Sequence, residues 1–314
     1  MGADTAASEA ITEVEQPVRG PFDLDASIRF LEGFTPAGRP DAADEPGVLR
    51  LAFPAAPGWR TARVLVRRRG NRVTVEIPQA DDPPTAAAHA ARILSLDLDG
   101  DAFAEVADRD PALAALHGRY RGLRPVLFWS PYEAACWTII GHRIRIVQAA
   151  ALKRRISEDL GERVSVAGVE LTAFPAPERL LAAPRIPGLP TIKADRLRAI
   201  AEAALAGDLD ADRLRALPAE EAVADLQRLP GIGPFSAELT LVRGAGHPDV
   251  FPTAERRLHA EMAAAYDLRD PSPARLAAIA DRWRPYRSWA AFLFRARRED
   301  DTGEIAGRPR TPPA

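Results

Sequence analysis

"LQRLPGIGPFSAELTLVRG", Leu226 to Gly244, is the stretch on which the reading of the chain turns. A helix ends, Leu229-Pro230-Gly231-Ile232-Gly233 makes a tight turn, and Pro234 opens a second helix where its missing N–H is no loss. Two glycines two residues apart let the backbone turn with positive φ and leave no side chain in the way of an approaching group. The amides of the second helix's first turn are unpaired and partly positive, which suits a phosphate oxygen. Leu229, Ile232 and Ala237 are placed to pack the two helices together. A bare GxG is usually only a corner between helices. The full LPGIG between two helices favours a contact to a nucleic-acid backbone, made by main-chain amides.

Beyond the hairpin comes "DVFPTAERRL", Asp249 to Leu258. Thr253 reads as an N-cap, with Ala254, Glu255 and Arg256 as the opening helical positions. An acid there ordinarily does no more than favour the positive end of the helix dipole.

Composition bounds the rest. The chain has 314 residues, 46% apolar and 27% charged, enough for two or three modest domains with a real core. No run approaches the ~18 apolar residues of a membrane span. The acidic N-terminus lacks the basic start and apolar centre of a signal peptide, so a cytoplasmic protein is expected. Cys136 is the only cysteine, which excludes an intrachain disulfide and a cysteine-rich zinc or iron–sulfur site. A net charge of −2 argues against a strongly basic DNA coater. The arginines nevertheless gather at Arg63–Arg72, Arg143–Arg155 and Arg282–Arg298, which can leave one positive face.

The chain reads as α+β. Residues 1–20 look like a disordered tail. Residues 21–112 form a small α+β unit. It has a short strand at Val48–Phe53, alternating strands at Ala62–Arg68 and Arg72–Ile77 about Arg69-Gly70-Asn71, and a helix over Thr85–Leu96. From 113 to 299 the strand signals almost vanish and the pattern is helical. Ser130-Pro-Tyr-Glu133 is a capping box, and the helix behind it carries Ile140, Ile144, Val147 and Ala151 on one face, with Gly141-His142-Arg143 inside it. Residues 300–314 read as a flexible tail.

The LPGIG hairpin resembles the helix-hairpin-helix motif of DNA repair proteins. With the acid of the second stretch it looks like the helix-hairpin-helix DNA glycosylase superfamily. Tyr132–Glu162 and Leu276–Ala296 are similar to segments of the bacterial 3-methyladenine DNA glycosylase II family, and the N-terminal unit matches that family's extra, TBP-like domain. The resemblance covers roughly 22–298. It implies hydrolysis of an N-glycosidic bond after the damaged base is flipped out of the duplex, with a carboxylate stabilising an oxocarbenium-like sugar.

Residue by residue, the family's catalytic Asp is here Glu255, one methylene longer, with Asp249 as the rival acid. Phe235 matches the aromatic of the base pocket, where lyases carry a nucleophilic Lys, so simple hydrolysis is implied. Trp289 and Tyr132 are further pocket candidates, and Trp283 and Tyr286 read as core or pocket. Leu229, Gly231, Ile232, Gly233 and Arg256 would face DNA. His142 and Arg143 take the places of a Gln and of the wedge that fills the gap left by the base. At Arg295 the family's pattern allows a pocket aromatic, which puts substrate range in doubt.

Double-stranded DNA with a damaged base is the expected partner, and a monomer is expected. No cofactor or catalytic metal is expected beyond a monovalent cation that the resemblance implies at the hairpin. Two rivals remain: a catalytically weakened protein that binds damaged DNA without cutting, and a bifunctional glycosylase–lyase for oxidised bases.

Overall fold

A computed structural model of the chain describes residues 10–37, 42, 44–70 and 72–303. The elements run β1 (Ile11–Gln16), α1 (Leu24–Gly33), β2 (Val48–Ala55), β3 (Arg60–Arg69), β4 (Arg72–Pro78), α2 (Pro83–Ile93), α3 (Gly100–Ala107) and α4 (Pro111–Arg119). Then follow α5 (Pro131–Gly141), α6 (Ile146–Leu160), β5 (Arg163–Val166), β6 (Val169–Thr172), α7 (Pro177–Ala182), α8 (Thr191–Leu205), α9 (Ala211–Ala216) and α10 (Ala219–Leu226). The chain closes with α11 (Pro234–Leu239), a π-helical turn over Thr240–Ala245, α12 (Arg256–Ala265), α13 (Pro273–Ala280) and α14 (Arg287–Thr302).

The N-terminal sheet is antiparallel, ordered β1-β4-β3-β2. Val64, Val66, Val73 and Val75 alternate inward and pack on α1 and α2. The expected tail over 1–20 is corrected in part. Ile11–Gln16 is an edge strand, with Val14 opposite Val75. An edge strand with one solvated face tolerates Thr, Glu and Gln, so its apolar signal is thin. Residues 1–9, Asn71 of the β3–β4 turn and 304–314 of the expected C-terminal tail lie outside the described residues, while Asp300–Thr302 finish α14.

The helical part divides into two lobes. One core joins α5–α11, from Phe128 to Val250. The other joins α3 and α4 to α12–α14, burying Phe103, Leu113, Trp283 and Phe294 together. So residues 100–123 pack with the C-terminal helices, although the sequence reading gave most of them to the N-terminal unit. Arg124 ties the sheet unit to this second lobe. It is fully buried and donates to the carbonyls of Arg19, Pro21, Ser95 and Leu98, with its guanidinium 5.4 Å from the Trp289 ring centroid. Gly100 is glycine because a Cβ there would meet the backbone carbonyl oxygen of Arg19 at 2.8 Å as well as the Arg124 guanidinium.

His89 of α2 is buried, hydrogen-bonded to the Trp129 carbonyl at 2.6 Å, and burial pulls its pKa down to about 3. The folded state keeps this ring neutral while the unfolded chain protonates it near its ordinary pKa of ~6.5. Its contribution is therefore complete above pH ~6.5 and is lost as pH falls toward 3. Urea unfolding is expected to show a loss of about 2 kcal/mol between pH 7 and 5 from this group, with the slope flattened in His89→Gln.

Among the described residues no helix is long and apolar enough to cross a membrane.

Candidate active site

A cleft of about 1390 Å³ opens between the two helical lobes, roofed by α1. The hairpin forms one lip. Gly231 has φ +87°, and a Cβ there would meet Arg196 Cδ at 2.7 Å, so this position requires glycine. Gly233 differs from expectation. It has extended backbone as the N-cap of α11, with nothing within 4 Å of a built Cβ. Its use is therefore clearance in front of the helix rather than a turn. Ile232 and Ala237 are buried between the helices, and Leu229 is half-buried against them. Phe235 stands 45% exposed on the cleft wall.

The second lip is the α5–α6 connection, and here the sequence reading is corrected. The helix expected to run through Gly141-His142-Arg143 stops at Gly141. His142 is its C-cap, and exposed Arg143 takes a left-handed φ of +57°. Lys193 explains the stop, because its Nζ donates to the carbonyls of Ile140 and His142, each at 2.8 Å. The ammonium takes over oxygens that a continuing helix would have paired. Ile144 and Val147 are left exposed on this loop and the first turn of α6. His142, partly buried and facing Lys193, Arg196 and Arg143, has its pKa held below the usual histidine value, burial being the largest cause.

Glu255 lines the same cleft. It is itself the N-cap of α12, in place of the expected Thr253, and its Oε1 accepts from Arg257 N at 3.0 Å. Its Oε2 lies 3.9 Å from Arg295 Nε. Thr253 has a different task. Its amide and hydroxyl donate to Glu238 Oε1, while Ala254 N donates to Glu238 Oε2. Glu238, buried on the hairpin helix, thereby fixes the two residues that lead into Glu255. Sequence reasoning missed it. A charged residue on the inner face of α11 was the available signal.

Other expected residues are elsewhere. Trp289 is buried in the second lobe, stacked on Phe103 at 4.3 Å and 4°. Tyr132 is buried and donates to the Pro175 carbonyl. Neither lines the cleft, so the pocket expectation for both is corrected: each fills a hydrophobic core, with Tyr132 held edge-on by Trp59. Trp283 and Tyr286 are core as well. The cleft's inner aromatics are instead Phe30, Phe34, Phe128, Trp137 and Phe292. Arg256 is exposed outside the cleft, while Arg257 lines it. Asp249, the rival acid, lies away from the cleft and is clamped by Arg287 (Nε at 2.7 Å) and Arg284 (Nη1 at 2.9 Å).

No family model matches the chain. Curated relatives do. The Mycobacterium tuberculosis "probable bifunctional transcriptional activator/DNA repair enzyme AlkA" is 30% identical over 292 residues, 90% of this chain and 56% of that one. Escherichia coli DNA-3-methyladenine glycosylase 2 is 31% identical over 185 residues, 57% of this chain and 62% of that one. The chain thus spans little more than half the length of the M. tuberculosis relative. Among solved structures, a 3-methyladenine DNA glycosylase from Archaeoglobus fulgidus superposes with a TM-score of 0.73 at 24% identity, covering 91% of this chain and 98% of that one. A structure of MBOgg1 in complex with a low-affinity DNA ligand gives 0.65 at 18% identity, covering 93% of this chain and 99% of that one. These two show the fold: a small antiparallel sheet unit followed by a largely helical part. Over most of its own length the chain is thus similar to AlkA-like proteins and to 3-methyladenine DNA glycosylase 2.

Proposed function

We propose that this protein is a monofunctional DNA glycosylase of base excision repair. It hydrolyses the N-glycosidic bond of alkylated purines, of the 3-methyladenine type, after flipping the base into the interlobe cleft. One observation carries the reading: the hairpin with its Phe235, the Arg143 loop and Glu255 are separate in sequence but line one cleft. The relatives' names supply the substrate class.

In this reading the hairpin amides hold a backbone phosphate, and Arg143, with Ile144 beside it, enters the space the base vacates. Phe235 stacks on the base. The Glu255 carboxylate faces the sugar as positive charge develops there, and it stabilises that charge and orients water. Arg295 holds one carboxylate oxygen, and the amide of Arg257 holds the other. No lysine stands at the position of Phe235, so the chemistry ends at an abasic site.

Among the described residues the carbonyls of Gln227, Arg228, Gly231 and Ile232 accept no hydrogen bond, so the hairpin has free oxygen donors for a monovalent cation. Such a cation would brace the turn and add positive charge toward a phosphate. The protein acts as a monomer on double-stranded DNA.

The ion pair on Glu255 favours a second reading, a damage-binding protein whose carboxylate is held by Arg295 instead of serving the sugar. Product analysis tests the hydrolytic reading against lyase chemistry. We expect free base, strands that break only after alkali, and no adduct on borohydride treatment. A trapped adduct would establish lyase chemistry instead. Lys193→Met is expected to weaken affinity for damaged duplex about threefold to tenfold, measured by fluorescence anisotropy, because the Arg143 loop loses its anchor.

A further inference from the structure

Arg243 is a half-buried group for which the proposed chemistry has no use. It sits in the π-helical turn that follows the hairpin helix and lines the cleft beside Phe30, Phe34 and Phe292. Its guanidinium carbon lies 4.6 Å from the ring centroid of Phe34 and 5.4 Å from those of Phe30 and Phe292. Nη2 donates to the Val126 carbonyl at 2.6 Å. Nε is buried and has no hydrogen-bond partner, and no carboxylate of the described residues pairs with the group. Burial, and Arg295 after it, pull its pKa down to about 9, so it is charged at neutral pH.

This arrangement bears on what the cleft admits. Electron-rich rings attract a cation over their faces. Here three of the cleft's aromatic rings already serve a cation belonging to the protein. A base that arrives positively charged finds those faces engaged and meets a guanidinium that no carboxylate neutralises. Arg295, another guanidinium lining the cleft, is paired with Glu255. Like charge in a partly desolvated cleft discriminates strongly. A neutral base with a carbonyl on its exposed edge meets the opposite situation, because a guanidinium is a planar donor suited to such acceptors.

Resting on the glycosylase reading above, we propose that the cleft selects uncharged, carbonyl-bearing bases over cationic N-alkylated purines, with Arg243 as the residue that sets this preference. Cationic lesions remain substrates through their weak glycosidic bonds. The preference is expressed in affinity.

The test uses the full chain and two duplexes that differ only in base charge. One carries 7-methylguanine, cationic, and the other 7-methyl-7-deazaguanine, its uncharged isostere. Both are placed opposite cytosine on 2′-fluoroarabinose so that neither is cleaved. Fluorescence anisotropy is expected to show the wild type binding the uncharged duplex about tenfold or more tightly. Arg243→Gln, which removes the charge but keeps a donor for the Val126 carbonyl, should bring the two within about threefold. Equal or tighter binding of the cationic duplex by wild type would overturn the proposal, and this comparison requires no variant to fold. A preference unchanged in Arg243→Gln would overturn the role of Arg243. If neither duplex is bound better than undamaged DNA, the glycosylase reading itself fails, and the inference with it.

Discussion

Glu255→Gln is expected to slow base release from damaged duplex by about 10²–10³-fold while changing DNA affinity less than about threefold. Glutamine has nearly the same volume, and its carbonyl can still accept from Arg257 N, so the start of α12 should survive. What disappears is the negative charge, and the account gives that charge its value only when the sugar becomes cationic. The loss should therefore fall on kcat and spare ground-state binding. Glu255→Asp separates charge from reach. It keeps the carboxylate but withdraws it by one methylene from a position set by Glu238, Thr253 and Ala254. A displacement of about 1 Å is expected to cost up to ~100-fold. Single-turnover release from a duplex with one lesion measures both variants.

Arg124→Met is expected to destabilise the fold by about 4 kcal/mol, measured by urea unfolding at neutral pH. Methionine fills much of the volume but donates no hydrogen bond. The carbonyls of Pro21, Ser95 and Leu98 lose the guanidinium donor at once, while that of Arg19 keeps the Gly100 amide. Each buried acceptor left without a partner costs about 1–3 kcal/mol, discounted where water can enter. The guanidinium has no buried carboxylate partner to leave stranded, which keeps the loss below the sum. Arg124→Lys, with a single point donor, should recover less than half of the loss.

How legible the molecule is from sequence depended on whether a local signal existed. The LPGIG turn, the alternating valines of β3 and β4 and the Ser130 cap are local, and each stands in the structure at its expected place. Glu133 satisfies only half of the expected capping box. Its side chain goes to Lys153 Nζ at 2.6 Å. The β5–β6 hairpin was missed because it turns on Ala167-Gly168, both at positive φ, where an Asn-Gly would have announced it. The break after Gly141 was invisible because its cause, Lys193, lies on another helix. Periodicity marks Trp289 and Tyr132 as inward-facing, but it cannot say whether inward means core or cleft. That depends on which lobe each helix joins. Glu238 and Arg243 sit on or beside the recognised motif and were overlooked because their partners come from Thr253, Phe30 and Phe34, far off in the chain.

The central claim is that this cleft removes a base and does not merely hold it. The most direct measurement is single-turnover incubation of wild-type protein with duplex DNA carrying labelled methylated bases, scoring bound duplex and free base separately. The account predicts free base released well above the spontaneous rate, with an equal amount of abasic site. Tight binding of the damaged duplex without release above that rate would contradict it and would make the protein a damage-binding one.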